Sequence, residues 1–115
     1  MSASAPLLCV SDEMIEELEM LRREYGWRWA RAHPLEKGRI INKVASILNR
    51  FWGSDIEPYL RGKPWRDPMK FLQDIIGDES KGEHRAVSQW LQGIPDTRGF
   101  IKHIAFIVQS YLKAH

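Results

Sequence analysis

Residues 35–52 read LEKGRIINKVASILNRFW. Ile40, Ile41, Val44, Ile47, Leu48 and Phe51 recur at spacings of one, three and four. At 3.6 residues per turn these positions gather on one broad helical face. Arg39, Lys43, Ser46 and Arg50 stand at i, i+4, i+7 and i+11 on the opposite side. The stretch therefore predicts an amphipathic helix from about Leu35 to Trp52, closed by Gly53 as a C-terminal glycine.

The same periodicity extends in both directions. Upstream, Ser11 is placed to cap a first helix, with Asp12 and Glu13 against the positive end of its dipole. Met14, Leu18, Leu21 and Tyr25 form its apolar stripe, and Gly26 is a candidate interruption at about 1 kcal/mol relative to Ala. The pattern runs on through Trp29 and Ala32 until Pro34 stops it. Downstream, Gly53, Pro58, Gly62, Pro64 and Pro68 punctuate the chain, with a short helix through Leu60 capped by Ser54 or Asp55. Asp67 with Pro68 at the first helical position opens a further helix that Gly77 ends. Asp78 to Glu83 reads as a connection, Glu83 to Gln92 as a helix, and Asp96 or Thr97 caps a last helix reaching Ala114. No stretch alternates with period two. The expectation is an all-α fold: a flexible N-terminal tail over 1–10, then a single bundle of about five or six helices over 11–115. Its core should draw on Leu18, Leu21, Ile41, Val44, Leu48, Phe71, Ile75, Trp90, Ile104 and Val108.

Composition narrows the function classes. A chain of 115 residues with 43% hydrophobic residues and five Trp is long enough to bury one core. No apolar run approaches the roughly 18–20 residues that cross a bilayer, and Met1–Val10 lacks the basic start of a signal peptide. The single Cys9 permits no intrachain disulfide, which fits a reducing, cytoplasmic setting. His33, His84, His103 and His115 stand too far apart in sequence for a helical or finger-type ligand pair, so no metal is expected. Neither a glycine-framed nucleophile nor a phosphate-cradling glycine loop is present. The expectation is a protein that is not an enzyme and carries no cofactor.

Charge is segregated. Residues 1–21 carry five acids and no base, whereas residues 22–50 carry eight bases and two acids, a net of +6. The bases are Arg22, Arg23, Arg28, Arg31, Lys37, Arg39, Lys43 and Arg50, interleaved with Tyr25, Trp27 and Trp29 and followed by Phe51 and Trp52. Like charges on one ridge repel unless something neutralises them. A basic, aromatic-rich stretch suits a polyanion, and nucleic acid is the commonest one. These eight residues are the candidate contacts to its backbone.

Residues 86–93, Ala-Val-Ser-Gln-Trp-Leu-Gln-Gly, add a second candidate. They resemble the recognition helix of phage-repressor-type helix-turn-helix domains, and the likeness extends over 69–112. It implies that Val87 and Trp90 are core, while Ser88, Gln89 and Gln92, with Arg85 beside them, face a DNA groove, where Gln can pair with adenine. A competing resemblance links Leu35–Phe51 and Gly93–His115 to the small all-helical subunits of type III CRISPR effectors. Those are non-catalytic and bind nucleic-acid backbone. Three functions follow as expectations. The first is a nucleic-acid-binding module, on DNA or RNA, possessing a helix-turn-helix. The second is a subunit of an RNA-guided nucleoprotein complex. The third is a protein–protein adaptor, or homo-oligomer, whose acidic and basic faces dock on one another. No membrane partner is expected.

Overall fold

The computed structural model describes residues 6–114, with the side chain of Ala114 excepted. Five α-helices make up the chain: α1 (Asp12–Trp29), α2 (Pro34–Ile56), α3 (Pro68–Gly77), α4 (Gly82–Leu91) and α5 (Thr97–Ala114). A 3-10 turn, Glu57–Leu60, follows α2, and no strand occurs among the described residues. The all-α expectation holds. A radius of gyration of 13.8 Å matches the roughly 13 Å of a single compact domain of this length.

Local chemistry accounts for most boundaries. Ser11 Oγ accepts from the Met14 amide, and Asp67 Oδ1 accepts from the Lys70 amide, each satisfying an otherwise orphan donor of the first turn. Asp96 Oδ1 does the same for Gly99 at the start of α5. His33 is extended ahead of Pro34, and Gly93 ends α4 with φ +100°, a left-handed conformation that favours glycine.

Two glycines behave differently from the sequence reading. Gly53 does not close α2, which continues three residues further to Ile56; it is buried inside the helix, close to the Asn49 side chain. The separate short helix expected from Ser54 or Asp55 is therefore the end of α2 plus the 3-10 turn. Gly26 does not break α1. It lies buried at the α1–α4 crossing, where a Cβ would overlap the carbonyl oxygen of Leu91. Backbone cannot rotate away as a side chain can. We expect Gly26→Ala to destabilise by about 1–3 kcal/mol of overpacking, more than the roughly 1 kcal/mol gained in helix propensity. Gly38, inside α2 with open space around it, should show the reverse, with Gly38→Ala more stable by up to about 1 kcal/mol. Urea midpoints of the two variants check the pair; equal shifts would contradict the close crossing.

α1 and α2 form an antiparallel hairpin, and α2 packs most extensively on α3. All ten expected core residues are buried, together with Met14, Ile40, Trp52, Ile76 and Phe100 among others. The expected tail is held over 6–10: Leu8 is buried, Trp52 Nε1 donates to the Cys9 carbonyl, and Gln109 Nε2 donates to the Pro6 carbonyl. Residues 1–5 of that tail lie outside the described residues. None of the helices is long and apolar enough to cross a membrane among the described residues.

Candidate nucleic-acid interface

The α1–α2 hairpin sets where the basic residues stand. Arg50 pairs with Glu17 at one end of the hairpin, and Arg28 Nη2 lies 3.0 Å from Glu36 Oε2 at the other. Between them Lys43 Nζ sits 5.6 Å from the centroid of the Tyr25 ring, within cation–π range. Met20, Leu21, Glu24 and Tyr25 of α1 face Lys43, Ser46 and Ile47 of α2 across an open groove. Arg39, Lys43 and Arg50 are exposed along one ridge of α2, as their spacing predicts.

The eight candidate bases divide by what they touch. Arg22 is a structural residue: its Nη2 bonds both carboxylate oxygens of Glu19 at 3.0–3.1 Å, and its Nη1 reaches the carbonyls of Pro95 and, at 3.5 Å, Trp90. Arg28 and Arg50 are neutralised by Glu36 and Glu17. The half-buried Lys37 lies over Trp29, 5.3 Å from the ring centroid. Arg23, Arg31 and Arg39 are exposed with neither hydrogen bond nor ion pair among the described residues. Lys43 adds a fourth exposed cation whose partner is an aromatic face.

Arg22 belongs to a polar relay that joins three helices. Trp90 Nε1 donates to Thr97 Oγ1 at 3.0 Å, and Thr97 Oγ1 donates to Glu19 Oε1 at 2.5 Å. Thr97 is 1% exposed, so its hydroxyl needs both partners. The Thr97 hydroxyl, then the Arg22 guanidinium, hold the Glu19 carboxyl below its ordinary value of 4.5. A carboxylate lowered on folding stabilises fully above its unfolded pKa, and that contribution is lost as pH falls through the folded pKa. Wild-type stability should therefore drop as pH falls from about 5 toward 3. Glu19→Gln should be weaker at neutral pH and flatter across that window in urea unfolding. An identical pH profile in the variant would contradict the relay.

The second candidate set rides on α4. The connection from α3 is four residues, Asp78–Lys81, shorter than the expected Asp78–Glu83. Asp78 organises it: its Oδ1 accepts from the Ser80 amide and hydroxyl, which hold the carboxyl below its usual range. Val87 and Trp90 are fully buried as expected, and Arg85, Gln89 and Gln92 are exposed on one outward ridge. Ser88 is a correction. It is half-buried against α1, accepting from Trp29 Nε1 at 2.8 Å and from Gln92 Nε2 at 3.1 Å, because residue 88 falls on the flank of α4 that meets α1.

One surface residue escaped the candidate set. Trp27 is 74% exposed, whereas Trp29, Trp52 and Trp90 are buried. It stands about 160° around α1 from Tyr25 and about 120° from Leu21 at 100° per residue, off the apolar stripe, and that offset was visible in the spacing. Among the described residues no three His, Cys, Asp or Glu side chains come together as metal ligands. No family model, curated protein or solved structure matches the chain.

Proposed function

We propose that the protein is a non-catalytic nucleic-acid-binding module that engages the phosphate backbone through exposed cations of the α1–α2 hairpin. One observation carries this reading: Arg23, Arg31, Arg39 and Lys43 are exposed and make no ion pair among the described residues, Arg23 acting only at longer range on Glu19, and Trp27 is exposed on α1. Unpaired cations on a rigid two-helix surface are arranged for an anion that is not part of the chain. Such contacts position a polyanion and carry no sequence information. The reading is compatible with a module acting alone and with a subunit of an RNA-guided complex.

A helix-turn-helix mode is the second reading. The four-residue connection and the outward Arg85, Gln89 and Gln92 favour it. Charge weighs against it, since the stretch 74–85 carries Asp74, Asp78, Glu79 and Glu83 against Lys81 and Arg85. Phosphates approaching there would meet net negative charge. The adaptor reading loses ground for a related reason. Glu17, Glu19 and Asp12 pair with Arg50, Arg22 and Arg98 of the same chain, so the segregated charges of the sequence partly cancel on folding.

Fluorescence anisotropy with labelled single-stranded DNA, single-stranded RNA and duplex tests the proposal, with light scattering run in parallel. The expected result is saturable binding at constant protein mass. A concentration-dependent mass with no nucleic-acid binding would replace it with the adaptor.

A further inference from the structure

Trp27 points to the form of nucleic acid. Its indole is 74% exposed and is the one exposed Phe, Trp or Tyr side chain within the basic stretch 22–50. Arg23 stands four residues before Trp27 on the same side of α1, and Arg31 lies in the turn that follows the end of α1 at Trp29. Both arginines are exposed and unpaired among the described residues. Arg28 lies 5.9 Å from the Trp27 ring centroid and 5.6 Å from that of Tyr25, which steadies the indole from the α2 side.

On the other side, Trp27 walls a shallow depression of about 420 Å³ together with Arg22, Gly26, Ala30, Leu91, Gln92 and Gly93. Its floor is mainly backbone and small side chains, because the α1–α4 crossing at Gly26 brings two main chains together. Gln92 on the rim donates its Nε2 to Ser88, which leaves its amide oxygen as an acceptor for a base edge. An apolar floor, a free aromatic face, a side-chain acceptor and flanking cations are what a splayed-out base with its two phosphates requires. A duplex offers no such base, since its bases are stacked on one another.

Resting on the nucleic-acid reading, we propose that Trp27 is a stacking platform for an unpaired base, and that the preferred ligand is therefore single-stranded. Arg23 and Arg31 bind the phosphates on either side. The crest of α1 then carries the strand from the α2 ridge toward the α4 rim.

The test compares wild type, Trp27→Ala and Trp27→Phe on a labelled single strand and on its duplex, each at several salt concentrations. Trp27 is exposed, so both variants should melt with wild type. Trp27→Ala should weaken single-strand binding by about 5- to 150-fold, the range of one base–aromatic stack, with the salt slope unchanged. Duplex affinity should change by less than about twofold, and Trp27→Phe should recover most of the loss, because a phenyl ring still stacks. Equal weakening on both ligands, or no weakening on the single strand, would overturn the stacking site while leaving the backbone-binding proposal in place. Absence of binding by wild type to either ligand would overturn both.

Discussion

Trp90→Ala should be the most damaging single substitution in the α4–α5 region. The indole is fully buried and stacks on Phe100 with ring centroids 4.4 Å apart and planes 7° from parallel. Its Nε1 starts the relay through Thr97 to Glu19, and the Arg22 guanidinium lies 5.9 Å from its ring centroid. Large-to-small truncation of a core Trp costs about 3–5 kcal/mol. Loss of the Trp90 donor to the buried Thr97 hydroxyl, which keeps Glu19 as its acceptor, adds to that. Against a domain stability of about 5–15 kcal/mol, the variant should be largely unfolded or close to it. A thermal melt should fall by about 10–25 °C at this chain length. Trp90→Phe should fall less, since it retains the stack and loses the hydrogen bond. A melting point within a few degrees of wild type for Trp90→Ala would mean that α4 does not depend on this anchor.

The second large effect concerns binding. Replacing Arg23, Arg31, Arg39 and Lys43 together by Gln should leave the fold intact, because exposed substitutions usually lie within about ±0.5 kcal/mol each. On a single strand each lost phosphate contact removes about 0.7 from the slope of log affinity against log salt, so up to about three units in all. Carried over the decade between 1 M and 0.1 M salt, that is a loss of about 10²- to 10³-fold at 0.1 M. The corresponding change at Arg22, Arg28 and Arg50 should behave differently. Those side chains already hold Glu19, Glu36 and Glu17, so their removal should lower stability and shift the salt slope little. A quadruple variant with wild-type slope and affinity would sink the assignment of the free cations.

Much of the fold was legible because helices report themselves locally. The stripe Met14–Leu18–Leu21–Tyr25, the caps at Ser11 and Asp67, and the face of α2 all follow from residue type and spacing. Spacing left Gly26 open and misread Gly53 as a helix end. Glycine is a helix terminator by propensity, but its surroundings decide: Gly26 meets the Leu91 backbone of α4, and Gly53 sits inside α2 beside Asn49 one turn earlier on the same helix. The candidate surface was legible only as a stretch of charge. Which of its bases remain free depends on partners far away in sequence, such as Pro95 and Trp90 for Arg22, or Glu17 for Arg50. Ser88 illustrates the same limit, since its bond to Trp29 spans 59 residues. Trp27 was within reach of helical geometry, yet it stood among aromatics that the basic stretch made look alike.

Arg23, Arg31, Arg39 and Lys43, exposed and without an ion pair among the described residues, are proposed to bind a nucleic-acid backbone. The direct measurement is the affinity of the wild-type protein for a single-stranded oligonucleotide as a function of salt. At about 0.7 per phosphate, four contacts predict a straight line of log affinity against log salt with a slope near −3. A slope near zero, or no measurable affinity at about 50 mM salt where such contacts are strongest, would contradict it.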